Sequence, residues 1–133
     1  MAWSDTNIVK QYYDEEVGTG QNGYEETMKI GLMYVSDYGY GTLPSSWTLP
    51  LVEYGNETTI ISNNWLYGRD VEWTISRDTC TVGGTHAAFY VDRGIGSGTC
   101  NIVFGVRPSF YLEPNVTLTS GDGSQNSPYR LSV

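Results

Sequence analysis

The sequence predicts a single α+β domain, β-dominated, with one clear N-terminal helix and a central antiparallel sheet. Three observations lead there. Glycine supplies 16 of 133 residues, well above the usual ~7%, which implies many turns and short strands. Only residues 5–17 place apolar side chains at helical spacing, whereas several later segments alternate apolar and polar residues with the period of two that a half-buried strand requires. The length fits one domain, 1–133, able to bury a core.

Taken in order, Ile8, Val9, Tyr12, Tyr13 and Val17 form the apolar side of the expected helix. Asp5 or Thr6 can cap its start and Gly18 can end it. Asp14, Glu15 and Glu16 lie near the negative end of its dipole, so packing must hold it. Residues 18–27 read as a polar, glycine-rich loop. Lys29–Val35 alternates Ile30, Leu32 and Tyr34 with Lys29, Gly31 and Met33 and reads as a strand, followed by a turn at Asp37-Tyr38-Gly39-Tyr40-Gly41. Residues 42–70 are broken by Pro44, Pro50, Gly55 and Gly68 but rich in apolar side chains. They read as a folded excursion with a short helix between about 57 and 66.

Val71–Ser76 is expected to be a strand with Val71, Trp73 and Ile75 inward and Glu72, Thr74 and Ser76 outward. Ala87–Asp92 is a second strand, residues 93–98 a hairpin tip, and Thr99–Phe104 the return. Gly105 allows a bend, and Pro108 ends ladder donation at that point. Ser109–Leu112 continues as a strand, and Val116–Thr119 makes a last short one before a Gly121-Asp122-Gly123 turn. The strands of Trp73, Phe89 and Phe104 are expected to form the central sheet, with the helix packed on it.

Charge excludes some partners. The net charge of −8 repels phosphate backbones and anionic lipid surfaces, which argues against nucleic acid and membrane-surface binding. No apolar run reaches the ~18 residues that a membrane span needs. Met1-Ala2-Trp3-Ser4 lacks the basic and apolar regions of a signal peptide. If the protein is exported, a leader or anchor helix is therefore expected to belong to a longer parent. Cys80 and Cys100 do not form a C-x-x-C, and one histidine is too few for a zinc cluster. A Cys80–Cys100 disulfide would close a loop of about 20 residues, contribute on the order of 3 kcal/mol and favour an oxidising compartment. The alternative is two free thiols.

Several segments resemble one family. Lys29-Ile30-Gly31-Leu32-Met33-Tyr34-Val35-Ser36-Asp37-Tyr38-Gly39-Tyr40, Asn63-Asn64-Trp65-Leu66-Tyr67, Trp73-Thr74-Ile75-Ser76, Gly105-Val106-Arg107-Pro108 through Leu112, and Asn115-Val116 with Gly121–Tyr129 follow its motifs in order. The family is an extracellular bacterial domain, often placed behind a prepilin-type helix or in larger surface proteins. It is similar to the C-type lectin-like fold shared with formylglycine-generating enzymes. The sequence departs at Arg77 and at Glu113-Pro114, where the family carries Pro and Lys-Ser. The resemblance implies a C-type lectin-like fold, a cell-surface location and a non-catalytic ligand-binding or adhesion role. Two alternatives accompany it: a pilin-like structural subunit that self-associates in a filament, and a degenerate relative of the enzymes.

Candidate chemistry is sparse. Glu113-Pro114-Asn115 has the composition of a calcium-lectin sugar motif but lacks the Trp-Asn-Asp strand that follows it, so it reads as a turn. Asp122 lacks the alternating acids of a calcium loop, and calcium is only weakly supported. His86 has no evident nucleophile partner. Cys80 and Cys100 are too far apart for the oxidase pair and are taken as structural, as is Trp73 in the core. Arg107, between Val106 and Pro108, is expected to direct its planar fork at a partly buried carboxylate or carbonyl set. Asn56-Glu57-Thr58 and Asn115-Val116-Thr117 match a glycosylation sequon that a bacterial protein by default leaves unmodified. Tyr38, Tyr40, Trp65, Tyr67 and Arg69 fall in glycine- and asparagine-rich loops and are the expected ligand-binding set, for a protein or glycan partner.

Overall fold

A computed structural model describes residues 4–17, 30–79, 86–110, 112–122 and 126–133. The fold is mixed α+β, with helix and strand in near-equal measure rather than β-dominated. The difference comes from residues 35–56, where a short helix and two 3-10 turns replace the expected strand end, turn and irregular stretch.

Helix α1 spans Val9–Val17 and is four residues shorter at its start than expected. Ile8 is drawn instead into an isolated bridge with Pro50, and Leu51 N–H donates to Asn7 O. The buried stripe of α1 narrows to Val9 and Tyr12, leaving Tyr13 and Val17 exposed. Its acidic end is not left to the dipole. Asp14 takes a salt bridge from Lys10 at 2.6 Å, and Glu16 reaches across to helix α2, Val35–Tyr40.

Strand β1 is only Gly31–Leu32, so the expected Lys29–Val35 strand is cut short and the expected turn at 37–41 is helical. Glycine-rich sequence hid the helix phase. Val35, Tyr38 and Gly39 (i, i+3, i+4) face the core, while Asp37, Tyr40 and Gly41 share the opposite face. Gly39 is needed for close approach: a Cβ there would lie 2.5 Å from Val9 Cγ2. After 3-10 turns at Pro44–Ser46 and Leu51–Asn56 comes α3, Thr58–Asn63, inside the expected helical window.

The main sheet has the order β4-β3-β2-β5, where β2 is Glu72–Asp78, β3 Ala87–Val91, β4 Ile95–Thr99 and β5 Gly105–Val106. The β2-β3-β4 part is antiparallel, and β5 joins β2 in parallel. The hairpin turns at Asp92-Arg93-Gly94, so the glycine-rich stretch expected at the tip is itself the strand β4. The expected return strand Thr99–Phe104 is mostly a turn. Strand β6, Pro108–Ser109, pairs with β1, and β7, Thr117–Ser120, pairs with β8, Arg130–Ser132. The expected Ser109–Leu112 strand is thus shortened and shifted. Strand β8 had no counterpart among the expectations.

Strand β2 faces the opposite way from its hydrophobic pattern. Thr74, Ser76 and Asp78 are buried, Ile75 is 37% exposed and Trp73 only half-buried. The polar side chains are tolerated inside because each has a partner. Thr74 Oγ1 donates to Phe89 O at 2.9 Å, Ser76 Oγ donates to Glu16 Oε1, and Ser97 Oγ donates to Asp78 Oδ2. An irregular register between Trp73 and Arg77 accompanies this polar seam. Trp73 therefore leaves the core and packs on the outer face with Phe104, 4.8 Å between ring centroids, and Tyr90 at 6.1 Å.

The core is instead built from Val9, Tyr12, Met33, Val35, Tyr38, Leu51, Tyr54, Ile60, Phe89, Val91 and Ile95. It lies between the inner face of the sheet and α1, α2 and the Leu51–Asn56 turn. Tyr12 meets Phe89 edge-on at 5.6 Å, a geometry favoured by the ring quadrupoles.

Candidate functional site

The expected binding residues separate into two groups. Tyr38 is core, 1% exposed, and its hydroxyl hydrogen-bonds Asp92 O and Arg93 O, both at 2.8 Å. It pins the β3–β4 turn and is withdrawn from ligand contact. Burial raises its hydroxyl pKa well above the ordinary 10.0. Tyr67 is half-buried against the core. Arg69 is exposed on a left-handed backbone, φ 68°, a conformation that costs a non-glycine residue free energy.

Tyr40 and Trp65 do come together. They line an open hollow of about 270 Å³ with Met33, Asp37, Gly41, Leu66 and Ser109. Helix α2 supplies Asp37 and Tyr40 from one face, and its C-cap supplies Gly41. The β1–β6 pairing, Gly31 opposite Ser109, brings in Ser109. The third wall is the segment after α3, and Asn64 shapes it. Asn64 is 5% exposed, donates from Nδ2 to Tyr38 O at 3.0 Å and accepts Leu66 N–H on Oδ1 at 3.0 Å. Trp65 N–H donates to Gly41 O at 3.1 Å. The backbone is thus tied to α2, while the Trp65 side chain stands 78% exposed at the rim. Gly41 has to be glycine, because a Cβ would lie 2.6 Å from Asn64 Oδ1.

The walls are held from behind. Tyr40 packs edge-on against Trp47 at 4.9 Å and Tyr13 at 6.0 Å. Asp37 accepts Tyr34 N–H at 2.8 Å, which fixes one carboxylate oxygen and leaves the group exposed. Arg107 donates from Nη1 to Leu66 O and from Nη2 to Glu72 Oε1, each at 2.8 Å. The carboxylate and carbonyl that the sequence could not name are these two. Arg107 therefore braces the Trp65–Leu66 segment and is not itself a wall of the hollow.

Met33, Asp37 and Ser109 escaped the sequence reading. Asp37 and Tyr40 were legible in principle as an i, i+3 pair on a helix; Ser109 was not, since only strand pairing places it.

Chemically, the lining residues offer two aromatic side chains, apolar walls, one carboxylate and the hydroxyls of Tyr40 and Ser109. Among the described residues no group of three or more His, Cys, Asp or Glu side chains could hold a metal ion. Glu113-Pro114-Asn115 is a turn closed by Val116 N–H to Glu113 O at 3.0 Å. Cys80 lies outside the described residues, and Cys100 is exposed with a free thiol. Gly123 of the Gly121-Asp122-Gly123 corner and residues 18–29 also lie outside them. No helix among the described residues is long and apolar enough to cross a membrane. Compared with protein-family models, curated proteins and solved structures, the chain matches none.

Proposed function

We propose that this chain is a non-catalytic recognition module of an extracellular bacterial surface or pilus-associated protein, with a C-type lectin-like fold and the α2–Trp65 hollow as its binding site. The observation that carries the reading is Trp65, an indole left 78% exposed on a segment whose backbone is tied down on both sides. A large aromatic side chain projecting into water from a fixed backbone, at the rim of an aromatic-lined hollow, is a feature of binding surfaces. The resemblance of residues 29–131 to the surface-domain family supports the location and, together with a mainly antiparallel sheet carrying a helix on one face, the fold.

The hollow sets the ligand scale. At about 270 Å³ it falls just below the ~300–1,000 Å³ of small-molecule pockets. It takes one sugar residue or one amino-acid side chain of a larger partner. Trp65 would stack on the apolar face of that group, and Asp37 would accept a hydroxyl or amide hydrogen.

Glycan and peptide arrays probed with the labelled chain test this. The expected result is a ligand class whose binding changes tryptophan fluorescence and is lost in Trp65→Ala, while the unfolding midpoint stays unchanged. Binding that survives Trp65→Ala would place recognition elsewhere and overturn the assignment.

A further inference from the structure

We infer that the β7–β8 ribbon is a self-association surface, through which two copies of this chain pack their Leu118/Leu131 faces together about a two-fold axis. The ribbon's sequence is written for burial on one side. Leu118 lies opposite Leu131 in the register, and alternation along Tyr129, Leu131 and Val133 carries the same face onward. The other face is polar: Thr117 and Ser132 share a hydroxyl hydrogen bond at 3.1 Å. Nothing among the described residues covers the apolar face. Leu118 is 59% exposed, Tyr129 59%, Leu131 50% and Val133 94%, and the ribbon packs only marginally on the rest of the fold.

A lone two-stranded ribbon is marginal in water, so a cover for this face is what makes the ribbon stable. Area and charge favour a second copy as that cover. The four side chains expose roughly 400 Å² per copy, which, fully buried at the usual ~56–65% apolar share, corresponds to about 600–700 Å² of interface. That approaches the ~800 Å² per partner of a stable association. Residues 110–133 carry Glu113, Asp122 and Arg130, a net −1 out of the chain's −8. The Leu118/Leu131 face itself carries no charged side chain, since Arg130 alternates onto the opposite, polar face, so two strongly acidic copies meet there without apposing carboxylates.

Sedimentation equilibrium of the chain across a wide concentration range, with reductant present to keep Cys100 from cross-linking, tests the inference. The expected result is a reversible monomer–dimer equilibrium that tightens with salt as acidic repulsion is screened. Leu118→Thr with Leu131→Thr keeps strand propensity, removes the apolar face and should weaken dimerisation by roughly tenfold or more. Amide hydrogen exchange of residues 117–120 and 130–132 should slow at high concentration in the wild-type chain and not in the variant. A chain that stays monomeric throughout, or a dimer that the double variant leaves intact, overturns the proposal.

Discussion

Arg107 shows how one side chain joins distant parts of this fold. Its fork spans Leu66 O and Glu72 Oε1, which lie 41 and 35 residues away. Lysine cannot reproduce two diverging bonds from one planar group. Arg107→Ala should cost about 2–3 kcal/mol, the low end for a broken buried pair, because the arginine side chain is 33% exposed. Most of that loss comes from stranding Glu72, so adding Glu72→Gln should recover a large part; urea unfolding of the two single variants and the double variant measures it. Glu16 is the second such residue. It accepts Val35 N–H at 3.1 Å and Ser36 N–H at 3.2 Å, and also the Ser76 hydroxyl. Burial raises its pKa above the ordinary 4.5, with the Ser36 and Ser76 hydrogen bonds pulling it back. A carboxyl with a raised folded pKa contributes stability that is fully present below its unfolded value and is lost as pH rises through the folded one. The stability difference between wild type and Glu16→Gln should therefore grow as pH falls from 7 toward 4.5. Urea midpoints for both chains at several pH values decide it, and a difference that stays flat would mean that Glu16 does not titrate in this range.

Among the elements, α2 and β2 are where local pattern and observed structure part. The apolar alternation of β2 predicts Trp73 and Ile75 inward, yet Thr74, Ser76 and Asp78 occupy the interior. A strand turns its polar face inward only when other elements bring partners for it, and here α1, β3 and β4 do so. Thr74→Val keeps the shape and strand propensity but removes the bond to Phe89 O, and should cost about 1 kcal/mol. Helix α2 depends on close approach instead. Gly39→Ala would drive a methyl group into Val9 and should cost roughly 1–3 kcal/mol, visible as a lower urea midpoint at unchanged slope. Helix α1, the 58–63 helix and the strands at 72–78 and 87–91 were legible because each carries its period or its breakers within its own residues. The hollow was half legible: Tyr40 and Trp65 advertise themselves as aromatics among glycine and asparagine, whereas Met33, Asp37 and Ser109 join them only through α2 and the β1–β6 pair.

For the whole molecule, charge and thiols govern behaviour. Fifteen acids against seven bases repel one another in the compact state. Raising salt from about 10 to 150 mM should therefore raise the thermal midpoint by a few degrees. Cys100, exposed with a free thiol, should be alkylated in the native chain without pretreatment. Labelling that requires prior reductant would instead reveal a bridge to Cys80. By itself the sequence determined the mixed α+β class, the places of α1, α3, β2 and β3, the acidic surface and the need of Arg107 for oxygen acceptors. These follow from spacing and polarity within a few residues. Only the tertiary structure decided which face of β2 is buried, that residues 35–40 are helical, that Tyr38 is core and that Trp65 stands at a rim. Each of those depends on partners far along the chain, such as Glu16 for Ser76 across 60 residues, and no local pattern encodes a contact whose other half lies in another element.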